Sequence, residues 1–240
     1  MGKKNINYLL RAVVQKFEDL PKGRILDLGC GDGDYSAALK KQGFDVVAGD
    51  INKKRFHFAG QIPFEYCDIT KTLPFKENNF DYVLLMEVVE HLRNPYDVLK
   101  EINRIIKKDG SLILSTPNIL SLKSRFRFLF EGAYEFFREA PLDQTANPKE
   151  DIFNLHIFPY RYHELEYLLS VSGFRISDIF TSLYEGRYMG VLLPILLLQA
   201  MSKERRSVIK GGVHYGRINK ILLSKELLYG RHLIARAIKV

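Results

Sequence analysis

The chain has 240 residues, of which 46% are hydrophobic and 27% charged, with a net charge of +8. That length and balance suit one globular domain of the larger kind, and two cysteines, Cys30 and Cys67, are too few for a disulfide framework; buried free thiols in a reducing cytoplasm are the better expectation. The charge is uneven. Residues 201–240 hold ten basic residues against Glu204 and Glu226, which accounts for the whole excess, while the first 200 residues carry 26 of each sign. A neutral body with a basic C-terminal segment does not describe a uniformly basic nucleic-acid binder, so nucleic acid is not an expected partner. The N-terminus has no long apolar run and no small-residue cleavage site, so no signal peptide is read there.

Ile6, Leu9, Leu10, Val13, Val14 and Phe17 follow helical spacing up to Pro21 and Gly23. Strands and helices then alternate. RILDLG (24–29) is a strand entering a glycine turn, 33–42 a helix closed by Gly43, and FDVVAGD (44–50) a second strand. Residues 62–67 give a short third strand, and FDYVLLM (80–86) a fourth, apolar enough to be covered on both faces. PYDVLKEINRIIK (95–107) is a helix opened by Pro95, and Asp109-Gly110 turns into a fifth strand at 111–117. This alternation predicts an α/β fold with a doubly wound, mostly parallel sheet. A helix at 161–172, a strand at 174–182 and a closing strand at 232–240 complete the pattern.

Gly29-Cys30-Gly31-Asp32-Gly33 joins the first strand to a helix. Such a turn lets the backbone approach a ligand at a helix N-terminus, but nucleotide-binding folds share it widely. Asp50, at the end of the second strand, is placed to accept both ribose hydroxyls. Asp68, after the third strand, can accept from an adenine amino group, with Ile51 and Ile69 packing on the ring.

ILDLGCGDGDYS, the acid in VVAGDI, CDI, FDYVLLMEVVEHL and KKDGSLILSTPN together resemble class I S-adenosylmethionine-dependent methyltransferases over about residues 20–182 and the last strand. The resemblance implies a seven-stranded Rossmann-like sheet of order 3-2-1-4-5-7-6, the last strand antiparallel, within a single domain over 1–240. It also implies cofactor roles. Gly29, Cys30 and Gly31 line the methionine end, Asp27 faces the amino group, Asp50 and Ile51 hold the ribose and adenine edge, Asp68 and Ile69 flank adenine, and Met86 lies beneath the sulfonium.

The segment MEVVEHL (86–92) is open to three readings. On a helix, Glu87, Glu90 and His91 share one face. They can be helix-terminal and structural groups, complementing the dipole. Glu87 or His91 can be a general base. Alternatively Glu87, Glu90 and His91, with His156 downstream, can hold a divalent ion such as magnesium. The ExxEH segment is similar to that of small-RNA 3′-terminal 2′-O-methyltransferases and of quinone-biosynthesis O-methyltransferases.

Residues 118–155 form a substrate lid, in which Phe126, Phe128, Phe130, Tyr134, Phe136 and Phe137 wall an apolar acceptor and Lys123, Arg125 and Arg127 hold a phosphate or carboxylate; a core-packing helix pair is the competing reading. Residues 186–230 form an apolar and basic insertion. Its uncharged run at 188–202 is too short to span a bilayer and is broken by Pro194. With the basic residues that follow, 188–210 reads either as an anchor on an anionic inner-membrane surface or as a buried helix or dimer contact. The expected activity is O-methylation of a small-molecule, glycan or lipid-linked acceptor. The alternatives are a metal-using RNA ribose 2′-O-methyltransferase, a non-catalytic nucleotide-binding scaffold and a nicotinamide oxidoreductase.

Overall fold

The computed structural model describes residues 3–137, 156–186 and 220–240, with side chains from residue 8 onward. Its strands are β1 (Arg24–Leu28), β2 (Asp45–Asp50), β3 (Phe64–Tyr66), β4 (Phe80–Met86), β5 (Ile106–Pro117), β6 (Phe174–Phe180) and β7 (His232–Lys239). They form one sheet of order β3-β2-β1-β4-β5-β7-β6. All neighbours pair in parallel except β7, which runs antiparallel to both β5 and β6.

The helices are α1 (Lys3–Glu18), α2 (Asp34–Lys41), α3 (Pro95–Ile105), α4 (Leu122–Glu131), α5 (Tyr162–Val171) and α6 (Lys225–Tyr229). Side chains alternate across each strand, so one sheet serves two cores. Ile25, Val46, Tyr82 and Leu84 face α1 and α2, meeting Leu9, Val13, Phe17 and Leu39. Leu26, Leu28, Val83 and Leu85 face α3 and α5, meeting Leu99, Ile102, Leu165 and Leu169. The continuous apolar run of β4 follows from this double cover. Phe17 keys α1 onto the sheet through edge contacts with Phe44 and Tyr82 at 5.3 and 5.4 Å. In α3, Val98, Leu99, Ile102 and Ile105 make the buried stripe, Pro95 opens the helix and the Asn94 side chain caps it by accepting from the Asp97 N–H.

Two local expectations change. The predicted turn at Asp109-Gly110 is an irregularity inside β5, where pairing to β4 shifts between Phe80↔Ile106 and Tyr82↔Ser111 and Asp109 takes φ 62°. Helix α3 therefore stops at Ile105, and β5 starts at Ile106. The helix expected to carry Glu87, Glu90 and His91 is a single 3₁₀ turn, Val89–His91, preceded by Glu87 at φ 54°. The cause is long-range. The Glu87 N–H donates to the Ser115 hydroxyl and carbonyl oxygens, at 3.0 and 3.3 Å, which keeps Glu87 attached to β5.

No helix among the described residues is long and apolar enough to cross a membrane. The 188–210 membrane-surface expectation, the part of the lid over 138–155 and most of the 186–230 insertion fall outside the described residues.

Candidate active site

The carboxyl ends of β1, β2 and β4 converge on the glycine turn. Gly29 has φ 77°, and a side chain there would place its Cβ 2.8 Å from Val88 Cγ2. Glycine is thus demanded by both backbone and neighbour, and the turn is packed against the segment leaving β4. The Gly31 N–H donates to Asp50 Oδ2 at 2.9 Å and the Asn52 N–H to Asp50 Oδ1 at 2.8 Å, so the carboxylate at the end of β2 braces the loop.

Asp27 is buried and accepts from the Ser36 hydroxyl at 2.5 Å; burial raises its carboxyl to about 6 despite that bond. Asp68 accepts from the Thr70 hydroxyl and N–H at 2.7 and 3.1 Å and pairs with Lys71 at 3.0 Å. These bonds, the Thr70 hydroxyl foremost, hold it below the ordinary carboxylate range. Ile51 is half exposed at 51%, an open apolar surface beside Asp50, whereas Ile69 packs against the core. Cys30 and Met86 are buried in the α1–α2 core, and burial pushes the Cys30 thiol up, so it stays neutral. Tyr35, in the first turn of α2, has its phenol pushed up by burial and by neighbouring Glu87 and Asp27. It adjoins the acids of both ends of the cleft.

Beyond Met86 the polar groups divide in two. Glu87 Oε1 accepts from the Ser115 hydroxyl at 2.7 Å, while Oε2 lies 3.9 Å from His232 Nε2. Burial raises Glu87 to about 7, with the Ser115 bond opposing. Glu90 points elsewhere. It is fully buried, and its Oε1 lies 3.7 Å from His156 Nε2. The Glu90 carbonyl accepts from the Ile157 and Phe158 N–H groups at 3.4 and 3.1 Å, which docks the distant His156 beside the turn. His91 and His156 meet edge-on at 5.0 Å. Donor atoms of Glu90, His91 and His156 all lie within 4.8 Å of one another. Both Glu90 carboxyl oxygens and His156 Nδ1 are buried without a well-formed hydrogen bond, though the Thr116 hydroxyl near Glu90 and the Phe136 backbone near His156 lie close enough to act on them electrostatically. Burial, then Glu87's charge, raises Glu90 well above the usual range; burial, then His91, lowers His156 to about 4.

Three of the four expected metal donors are therefore brought together, and Glu87 stands outside that group. The expected common face of Glu87, Glu90 and His91 is lost because the positive φ at Glu87 breaks the helical spacing.

Of the expected lid, residues 118–137 are described, and its cations meet partners within the chain. Lys123 pairs with Glu135 and Glu185 at 3.0 and 3.4 Å, Arg127 with Glu131 and Glu135 at 2.6 and 3.5 Å, and the Arg125 Nε–H donates to the Leu120 carbonyl at 2.7 Å. Lys123 and Arg127 thus pair with carboxylates of the chain itself, whereas Arg125 is held through one Nε–H bond to a backbone carbonyl. Of the six aromatics, Phe136 stacks on His232 at 5.8 Å and Phe137 lies 5.6 Å from His156. Phe126 packs toward α6, Phe128 stacks on Tyr134 at 4.5 Å, and Phe130 is 80% exposed.

Sequence reasoning missed His232, Ser115 and Tyr35. His232 begins β7, and its pairing with Pro117 carries it to the mouth of the site. The one signal is a histidine opening the terminal strand ahead of the apolar run Leu233–Ala235.

The sheet order with β7 antiparallel, the glycine turn and the acids in β1, at the end of β2 and after β3 define a class I methyltransferase architecture built around S-adenosylmethionine. A family model described as a methyltransferase domain matches residues 3–178, and the chain belongs to that family of S-adenosylmethionine-dependent methyltransferases. It is 30% identical, over 62% of its own length and 74% of the relative's, to a ubiquinone biosynthesis O-methyltransferase of Aliivibrio fischeri (strain MJ11). Among solved structures it is similar to an S-adenosylmethionine-dependent methyltransferase from Archaeoglobus fulgidus, with TM-score 0.60 and 20% identity over 99% of this chain and 95% of that one. It is also similar to phosphoethanolamine N-methyltransferase 2 of Haemonchus contortus in complex with S-adenosyl-L-methionine, with TM-score 0.55 and 17% identity over 95% of this chain and 52% of that one.

Proposed function

We propose that the chain transfers the methyl group of S-adenosylmethionine to a hydroxyl oxygen of a small, largely apolar acceptor. The observation that carries this reading is Glu87. It follows Met86 at the end of β4, has one oxygen fixed by Ser115 and one without a partner, and is raised to about 7 by burial. A carboxyl of that strength takes a proton from a bound hydroxyl near neutral pH. The relative's name, a ubiquinone biosynthesis O-methyltransferase, supports oxygen as the methylated atom.

Each residue then has a defined task. Asp50 holds the ribose hydroxyls and the glycine turn accepts the methionine end. Asp27, ionised by the incoming ammonium, holds the amino group, and Ile51 and Asp68 flank adenine. The sulfonium is already activated, so in-line placement of the acceptor oxygen supplies much of the rate.

A second reading is added by Glu90, His91 and His156. Their convergent donors and the unpartnered Glu90 oxygens fit a divalent cation such as magnesium or manganese. When bound there, such an ion supplies a Lewis acid that lowers a hydroxyl's pKa. The test is methyl transfer from labelled S-adenosylmethionine to phenols with and without an alkyl chain, assayed with EDTA and with added magnesium. Ether products favouring the alkylated phenol support the reading; methylation confined to amines overturns it.

A further inference from the structure

His232 is fixed from every side. The backbone of Pro117 pairs with it across β5 and β7. Asn118 locks the approach to that pair: its Nδ2 donates to the carbonyls of Glu226, Leu227 and Gly230 at 3.2, 3.0 and 2.7 Å, and its N–H donates to the Arg231 carbonyl at 3.2 Å. Phe136 stacks on the ring at an interplanar angle of 22°, under the Arg231 guanidinium at 4.9 Å. Phe136 takes φ 70° to do so, a conformation unfavourable for a bulky side chain. The ring's Nδ1 lies 2.5 Å from the Ser182 hydroxyl.

All this leaves one atom out. His232 is 1% exposed, yet Nε2 has no hydrogen-bond partner, and neither has the Glu87 Oε2 that faces it at 3.9 Å. Two buried polar atoms at that separation are too far apart to bond each other, and each costs free energy when left unpaired. An oxygen about 2.8 Å from both fits between them geometrically.

We propose that His232 is a catalytic residue that, with Glu87, seats the acceptor's reacting hydroxyl: Nε2–H donates to the hydroxyl oxygen, and that hydroxyl donates its own hydrogen to Glu87 Oε2. This rests on the hydroxyl-acceptor reading and deepens it. In this arrangement the Ser182 hydroxyl is the donor to Nδ1, which leaves the ring proton on Nε2. The donated bond orients the hydroxyl and leaves an oxygen lone pair free toward the methyl carbon. As the new carbon–oxygen bond forms, the carbon–sulfur bond breaks and its electron pair stays on sulfur. The hydroxyl proton ends on Glu87. The products are a methyl ether, S-adenosylhomocysteine and a neutral carboxyl that later releases its proton to water. His232 stays neutral throughout, in keeping with the burial and the Arg231 and His156 charges that lower it to about 3.

The test compares wild type, His232→Phe and His232→Gln on the phenol that wild type methylates best, together with nitrogen-15 histidine spectra of the full-length wild type. The expected results are an Nε2–H tautomer for His232, a kcat loss on the order of 100-fold in His232→Phe, partial recovery in His232→Gln, whose amide restores a donor, and S-adenosylhomocysteine affinity within about twofold in both. An Nδ1–H tautomer, or His232→Phe retaining kcat within about threefold, overturns the proposal. Should His232→Phe not fold, the wild-type spectra decide. Ether formation with no effect at His232 removes this proposal alone; transfer confined to nitrogen or carbon removes the hydroxyl reading with it.

Discussion

The two ends of the cleft are built on opposite plans. At the cofactor end the acids have protein partners: Asp27 with Ser36, Asp50 with Gly31 and Asn52, and Asp68 with Thr70 and Lys71. At the acceptor end, Glu87 Oε2, both Glu90 oxygens, His156 Nδ1 and His232 Nε2 are buried without hydrogen-bond partners. Buried polar groups are ordinarily satisfied, and the concentration of unpaired atoms around Glu87, Glu90 and His156 is what the proposed function draws on. The cofactor end is organised before its ligand arrives. The unpaired atoms of the acceptor end carry a cost in stability, which on the proposed reading an acceptor hydroxyl beside Glu87 and a cation at the Glu90 group would offset.

Breaking either end should therefore have different consequences. The largest effect is expected from Glu87→Gln, which keeps shape and removes the base. Its kcat should fall by roughly 100- to 1,000-fold, with S-adenosylhomocysteine affinity unchanged in calorimetry. In wild type, kcat/KM should rise with pH through about 7 as Glu87 loses its proton, and that limb should vanish in the variant. Asp50→Ala is the converse at the other end. It removes the ribose acceptor and the brace on Gly31, and should weaken S-adenosylhomocysteine binding on the order of 30-fold, about 2 kcal/mol, by calorimetry.

Glu90→Gln sharpens the comparison through stability. It replaces a buried carboxyl by a neutral group, so the metal-free Tm should rise by roughly 3 °C, about 1 kcal/mol. Manganese should raise the Tm of wild type and leave the variant unmoved in scanning fluorimetry. The smallest effect concerns Asp27, whose folded carboxyl is raised to about 6 from an ordinary 3.8. The folded chain takes up that proton first. Its stabilising contribution is thus complete below about pH 3.8 and is lost as pH rises through about 6. The Tm difference between wild type and Asp27→Asn should follow that window, and the variant should lack the proton release expected when S-adenosylhomocysteine binds near pH 6.

Legibility in the sequence followed the same division. The cofactor end is written locally: a glycine turn, then an acid closing β2 and another just past β3, and an apolar run for β4 that a doubly covered strand requires. The acceptor end is set by contacts far apart in the chain. The spacing of Glu87, Glu90 and His91 reads as one helical face, yet hydrogen bonds between Glu87 and Ser115 turn the backbone and send Glu87 and Glu90 to different partners. His232 reaches the site only through pairing of β7 with β5, which no local pattern specifies. The partners of two lid cations differ in how readable they are. The Arg127–Glu131 pair sits at i, i+4 and was readable, whereas Lys123 finds Glu185 across the fold.

The most direct measurement is mass-spectrometric identification of the atom methylated by wild type and by Glu87→Gln, from labelled S-adenosylmethionine and a phenol, with S-adenosylhomocysteine affinity measured on both. The account predicts a methyl ether from wild type and little or none from Glu87→Gln at equal affinity. A methyl group on nitrogen or carbon, or a Glu87→Gln variant as active as wild type, would contradict it.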